Sequence, residues 1–269
     1  MIINGLPSKH INANDRGLMY GDGVFRTLLV RQGNPQHWQQ HYDKLQHDCF
    51  AIGIICPKIH ILEADLALLA LAELDAVVKI TITRGLSTRG YAPSINPVVT
   101  RILSSSTLPD YPESNAVQGV QVHLCKLRLS HQPRLAGIKH LNRLENVLAA
   151  AEWSDPNIAE GILLDEEGHL IEGTRSNLFI VRDDKLYTPD LSKCGVAGVQ
   201  RDRVIAYARQ HNMVCKVTEL TMDDLLSADE LFLVNSVVGL WPVRDFHRFS
   251  SKQFPVALKI QDWLNNETN

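Results

Sequence analysis

Leu135-Ala-Gly-Ile-Lys-His-Leu-Asn-Arg-Leu-Glu145 is the stretch on which the reading of this chain turns. It sets one lysine, Lys139, between an apolar, glycine-containing lead-in and a pattern that predicts a helix over 141–153, with Leu141, Leu144, Leu148 and Ala151 on one face. Taken alone, Lys139 reads as a solvated lysine at a helix start. Its neighbours change that reading: Ala136, Gly137 and Ile138 offer little to solvate an ammonium. A desolvated lysine is pushed toward its neutral amine, a nucleophile able to condense with a carbonyl.

Two later segments complete a pattern. In Ile171-Glu-Gly-Thr-Arg-Ser-Asn-Leu-Phe-Ile180, Glu172 reads either as a strand-end surface carboxylate or as the partner of a protonated ring nitrogen. The polar run Thr174-Arg-Ser-Asn177 then feeds an apolar strand, an odd place for polar side chains unless something polar faces them. Gly195-Val-Ala-Gly198 precedes a helix predicted from Val199 to about His211. Backbone N–H groups at a helix start lack partners and favour an anion, so the amides of Val199 and Gln200 are candidates to hold a phosphate. Ser236, after an apolar strand, adds a candidate hydroxyl donor. An amine, a carboxylate and an anion-holding turn are what a protein needs to hold pyridoxal phosphate (PLP).

The bulk properties exclude other classes. The 269 residues suffice for one large or two modest domains, with 45% apolar and 21% charged types. A net charge of −3 gives no basic signature for nucleic acid. No apolar run is long enough to span a membrane, and Met1 to His10 lacks the order of a signal peptide. Five scattered cysteines, none in a C-x-x-C pair, fit neither a disulfide scaffold nor a thiolate zinc site, and a reducing cytoplasm suits them. His37 and His41 have a helical spacing but no H-E-x-x-H around them, which reads as a polar helix face and not a metal site.

The organisation is α+β in two parts: a smaller domain over 1–106, a linker over 107–115 with two prolines, and a larger domain over 116–269. In the first part, residues 1–35 read as a hairpin, 38–53 and 61–74 as helices, and 76–84 and 98–106 as strands around an 85–96 loop. In the second, strands are expected at 119–128, 159–165 and 177–182. Thr221 with Asp224, and Ser227 with Glu230, resemble capping boxes.

Taken together, these segments resemble the fold-type IV PLP enzymes, which include branched-chain and D-amino acid aminotransferases and aminodeoxychorismate lyases. Asp15-Arg-Gly-Leu-Met-Tyr-Gly-Asp-Gly-Val-Phe25 resembles the family's N-terminal signature, and His41-Tyr-Asp-Lys-Leu45 its early helix. The segments at Lys139, Glu172, Gly198 and Ser236 follow in the family's order, so the likeness covers nearly the whole chain. It implies a smaller N-terminal α/β sandwich and a larger C-terminal pseudo-barrel domain, PLP as cofactor and a homodimer. By the same likeness Lys139 carries the coenzyme, Glu172 meets its pyridine nitrogen, and Val199, Gln200 and Ser236 hold its phosphate.

Within the family, the Lys139 segment and Thr83-Arg-Gly-Leu-Ser-Thr-Arg-Gly-Tyr91 look most like the lyase subgroup. The resemblance implies a PLP-dependent carbon–oxygen lyase that converts 4-amino-4-deoxychorismate to 4-aminobenzoate, a folate precursor, and pyruvate. Arg89, Tyr91 and Arg26 are the candidates for binding its carboxylates. The sequence departs from the family in three places. The phosphate-binding arginine of the early helix is Lys44, which keeps the charge but loses the bidentate fork. The threonine usual in the phosphate turn is Gln200. Phe25 has no hydroxyl where D-amino acid aminotransferases carry a tyrosine. An aminotransferase of D-amino or branched-chain amino acids, and a PLP-binding protein without catalysis, stay open as alternatives.

Overall fold

The computed structural model describes residues 1–69, 71, 74–87 and 90–267. They form two compact units, Met1–Pro109 with Ile138–Asn142, and Asp110–Gly137 with the chain from Arg143 onward. The first unit holds, in chain order, β1 (Ile2–Ile3), β2 (Leu6–Pro7), α1 (Arg16–Tyr20), β3 (Gly23–Arg31), β4 (Asn34–Pro35), α2 (Trp38–Ala51), α3 (Ile59–Ala67), β5 (Ala76–Thr83) and β6 (Thr100–Ser106). Its strands make a six-stranded sheet in the order β2-β1-β6-β5-β3-β4. Along β3 the side chains alternate: Val24, Arg26, Leu28 and Val30 are buried, while Phe25, Thr27 and Leu29 are half-buried. The buried face packs with Leu45 and Cys49 of α2 and Leu62 of α3. The hairpin expected over 1–35 is instead two short hairpins, β1–β2 and β3–β4, separated by α1.

The second unit holds α4 (Ser114–Val117), β7 (Val120–Leu129), α5 (Leu144–Ala150), β8 (Ile158–Asp165), β9 (Leu170–Gly173), β10 (Asn177–Arg182), β11 (Lys185–Pro189), α6 (Val199–Gln210), β12 (Cys215–Thr218), α7 (Met222–Leu226), β13 (Glu230–Asn235), β14 (Gly239–Phe246), β15 (Phe249–Ser250) and α8 (Pro255–Asn266). Its nine-stranded sheet runs β12-β11-β10-β13-β14-β7-β8-β9, with β15 on β14. Because β9 also pairs with β10, the strands between them close into a barrel. Asn177-Leu-Phe-Ile-Val181 is buried throughout because both faces of β10 are covered. Leu178 and Ile180 join the core shared with Val122, Ile162 and Trp241. Phe179 stacks on Phe232 and packs with Val204 of α6 and Ile260 of α8. The fold is therefore the two-part α+β architecture expected from the sequence, a sheet-and-helix sandwich and a pseudo-barrel.

At several places the local structure differs from the sequence pattern. Residues 138–142 belong by packing to the first unit although the chain around them builds the second: Ile138 is buried in the first unit's core. The helix expected from 141 begins only at Leu144, because Lys139–Leu141 is paired with the start of β3. Of the apolar face expected on this helix, Leu144 and Leu148 are exposed, and with Val147 they are all at 60% or more. Of the two cap motifs, Thr221 with Asp224 is a capping box on α7. Ser227 instead ends that helix, and Glu230 opens β13, from which it accepts the backbone N–H groups of Val256 and Ala257 at the start of α8.

Candidate active site

In the first unit, Lys139 is held by its backbone. Its carbonyl accepts the Phe25 N–H at 2.9 Å, and two residues on, Leu141 donates to Gly23 at 3.0 Å. Its own N–H donates to Asp48 Oδ2 on α2 at 3.1 Å. From this fixed peptide the side chain reaches the Phe25 ring, with Nζ 4.8 Å from the centroid. Lys79 of β5 brings a second ammonium to the same ring at 4.5 Å. Both distances lie within cation–π range. The register explains the meeting: Phe25 pairs with Thr81 and Thr27 with Lys79, so Phe25 and Lys79 are diagonal neighbours on one sheet face.

Arg26 lies on the other face of β3, 3% exposed, with its guanidinium paired to Asp48. Among the expected carboxylate contacts it is the one to correct: a group facing the core and already bound to a carboxylate does not project onto the Phe25 face. Arg89 lies outside the described residues. Tyr91 is 84% exposed with its ring 5.3 Å from that of Tyr20, and its backbone carbonyl accepts from Arg16. Lys44 is half-buried on α2, one turn before Asp48.

The N-terminal signature works as a fastening for these elements. Asp15 caps α1 through the Gly17 N–H and accepts hydroxyls from Thr83 and Thr100. Arg16 holds the carbonyls of Gly90 and Tyr91 and pairs with Asp22, which also receives Arg84. Burial pushes the Asp22 carboxyl up, but the two guanidinium groups outweigh it and hold it below the usual aspartate range.

In the second unit, Glu172 is 4% exposed at the end of β9, and its Oε2 accepts the Val196 N–H at 2.9 Å. Gly195 makes this possible. Its φ is +84°, and a Cβ there would sit 2.7 Å from Ile171 Cγ2 and 2.9 Å from Leu191 Cδ2. Asn177, paired in register with Glu172, shapes the rest of the turn. Its Nδ2 donates to the Val196 carbonyl and its Oδ1 accepts the Gly198 N–H. The helix start that follows has Gly198 as its N-cap with no side-chain bond, and Val199, Gln200 and Arg201 are all buried. Among the described residues, none accepts the N–H groups of these three. The Gln200 side chain accepts from Arg203, leaving its backbone N–H to the turn. Upstream, Gly137 donates to the Gly195 carbonyl and accepts the Ala197 N–H, so the lead-in to the lysine is stitched to the same turn. Ser236 lies half-buried in the turn between β13 and β14.

The polar run 174–177 does face something polar. Glu160 of β8, 2% exposed, accepts from the hydroxyls of Thr174 and Ser176 and pairs with Arg175. That carboxylate, together with Asp48 and Lys79, was not singled out by sequence reasoning, since each sits in an ordinary local pattern and meets its partners only through sheet and helix packing.

A buried carboxylate beside a glycine turn, followed by a buried helix start with open N–H groups, fits a cofactor with a basic ring nitrogen and a phosphate. Residues 23–246 match the amino-transferase class IV family, and the chain belongs to that family. It is 39% identical to the aminodeoxychorismate lyase of Vibrio harveyi over 95% of this chain and 94% of that one. A crystal structure of 4-amino-4-deoxychorismate lyase from Pseudomonas aeruginosa superposes with a TM-score of 0.95 at 42% identity, covering 99% and 98% of the two chains. A putative branched-chain-amino-acid aminotransferase of Methanocaldococcus jannaschii is 30% identical over 87% of this chain and 81% of its own length.

Proposed function

We infer that the protein is a PLP-dependent carbon–oxygen lyase that converts 4-amino-4-deoxychorismate to 4-aminobenzoate and pyruvate. The similarity to two lyases over nearly the full length supports this reading. The observation that carries it is at Phe25, where the ring has no hydroxyl and Lys139 and Lys79 bring two ammonium groups to it. The substrate has two carboxylates, and a second cation over the ring that Lys139 reaches suits one of them.

When bound, PLP supplies an electron sink for the carbon that carries the substrate nitrogen. The chain's own residues do the rest. Lys139 would hold the coenzyme through its side-chain nitrogen, and the same Nζ would move the proton from that carbon. Glu172 keeps a negative charge beside the ring nitrogen. The N–H groups of Val199 and Gln200, with the Ser236 hydroxyl, hold the phosphate, and Lys44 adds a cation to it. Lys79 takes the carboxylate role first considered for Arg26, with Arg89 and Tyr91 from the 85–96 loop. Departure of the enolpyruvyl oxygen leaves an aromatic ring, so orientation and one proton transfer are the main demands on the protein.

The assay is direct. Supplied with 4-amino-4-deoxychorismate and no oxo acid, the enzyme is expected to release pyruvate and 4-aminobenzoate in equal amounts. Nitrogen transfer from an amino acid to 2-oxoglutarate at a comparable rate would favour the aminotransferase reading, which the M. jannaschii relative keeps in view.

The same reading includes a homodimer in the cytoplasm. Leu144, Val147 and Leu148 form an exposed apolar stripe on α5, which a second copy of the chain would cover. The five cysteines are all free thiols, which suits a reducing compartment. No helix among the described residues is long and apolar enough to cross a membrane.

A further inference from the structure

Arg26 and Asp48 are buried ionisable groups, 3% and 0% exposed, for which the reaction above has no use. Arg26 shares its strand face with Val24 and Leu28, inside the first unit's core. Asp48 lies beside Cys49 on the buried side of α2. A buried ion pair is seldom more stabilising than a well-packed apolar pair of similar volume, so stability alone does not account for it. What the pair touches does. Asp48 Oδ2 receives both the Arg26 guanidinium and the Lys139 backbone N–H. On the other side, the Lys139 carbonyl is held by the Phe25 N–H, one residue from Arg26 on the same strand. Strand β3 and helix α2 thus grip the Lys139 peptide from both sides, and the Arg26–Asp48 pair ties the strand to the helix. Hydrogen bonds to an ionised acceptor are about twice as strong as neutral ones, so a carboxylate is a firmer holder of that peptide than an amide would be.

We propose that Asp48 is a positioning residue for Lys139: with Arg26 orienting its carboxylate, it fixes the peptide from which the reactive amine extends. The proposal rests on the reading of Lys139 as the coenzyme-bearing residue. Asp48 touches neither substrate nor coenzyme in this scheme. It acts by restricting where the side chain of Lys139 begins.

The test compares the PLP-loaded wild type with Asp48→Asn, Asp48→Ala and the double variant Arg26→Leu/Asp48→Leu. The double variant removes both charges and puts aliphatic side chains into an aliphatic core, so it keeps the test alive if Asp48→Ala, with its stranded guanidinium, does not fold. Three quantities are read: amide hydrogen exchange at Lys139, the visible absorption band of the coenzyme, and kcat with KM. Asp48→Ala and the double variant are expected to exchange the Lys139 amide about tenfold faster or more, as loss of a charge-assisted hydrogen bond implies. Their absorption band is expected to move and kcat to fall while KM changes little. Asp48→Asn, which retains an acceptor oxygen, is expected to recover most of each. A double variant with wild-type exchange, absorption and kcat overturns the proposal, because Asp48 would then only balance Arg26. Failure of borohydride to fix the coenzyme on Lys139 in the wild type would sink the coenzyme reading instead, and the exchange data would still decide whether Asp48 holds the peptide.

Discussion

Lys139 meets its demands through backbone contacts that leave its amine at the end of a flexible stem, over an aromatic ring. On the proposed function, removing the amine removes the tether and the proton carrier together. Lys139→Ala is expected to yield no borohydride-fixed adduct by mass spectrometry and to lose about 10³-fold or more in kcat/KM, the scale of a general acid–base group. Gly198 is constrained differently. A Cβ there would stand 2.5 Å from Asn177 Oδ1, the atom that accepts the Gly198 N–H. Gly198→Ala is therefore expected to push Asn177 away and loosen the turn. Titration of the apoprotein with PLP should show affinity weakened by about tenfold, the equivalent of one or two hydrogen bonds.

At the scale of elements, the β8–β9 hairpin carries Glu172, and its turn is closed by Asp165. Oδ1 of Asp165 accepts the N–H groups of Glu167 and His169, and Oδ2 faces His131 and His169. Burial raises this carboxyl, but the bonds from His131 and His169 outweigh it and hold it below the ordinary aspartate value. A lowered folded-state pKa gives stability that is present above the unfolded value, about 3.9, and is lost as pH falls through the folded one. Asp165→Asn should thus melt below the wild type at pH 6, with the gap closing as pH drops under about 4. Scanning calorimetry at both pH values reads this directly.

Across the whole molecule, the apolar stripe of α5 is the feature most at odds with a monomer. Leu144 is 74% exposed and Val147 and Leu148 are each 60% exposed, on a helix whose other side buries Ala149. If the proposed homodimer forms through this stripe, Leu148→Glu is expected to shift the sedimenting species from dimer to monomer, since a charge in an apolar interface is left without a partner. An unchanged dimer would place the contact elsewhere. The same helix shows how far local pattern reaches. Its periodicity correctly marked one apolar face, yet a periodic face says only that something covers it, and not whether that is the chain's own core.

The candidate site residues stand out in the sequence for a physical reason that is local in each case. Lys139 stood out by its apolar lead-in, Gly198 by the helix after it, and Glu172 by its place between an apolar strand and a glycine. The run Thr174-Arg-Ser-Asn177 was legible as needing a polar neighbour, but the neighbour, Glu160, comes from the adjacent strand and is found only once β8 and β9 pair. Arg26 was misjudged because an alternating strand gives two faces without saying which is inward. The packing of α2 decides that.

The chain by itself determined the α+β class, the order of its elements and the chemistry of the candidate coenzyme-holding residues, because these depend on side-chain type and short-range periodicity. Tertiary structure alone decided that residues 138–142 leave one unit to pack with the other, that Lys79 shares a ring with Lys139, and that Asp48 receives both Arg26 and the lysine's peptide. Those contacts join residues dozens of positions apart, and no local propensity encodes a meeting that exists only when two elements are pressed together.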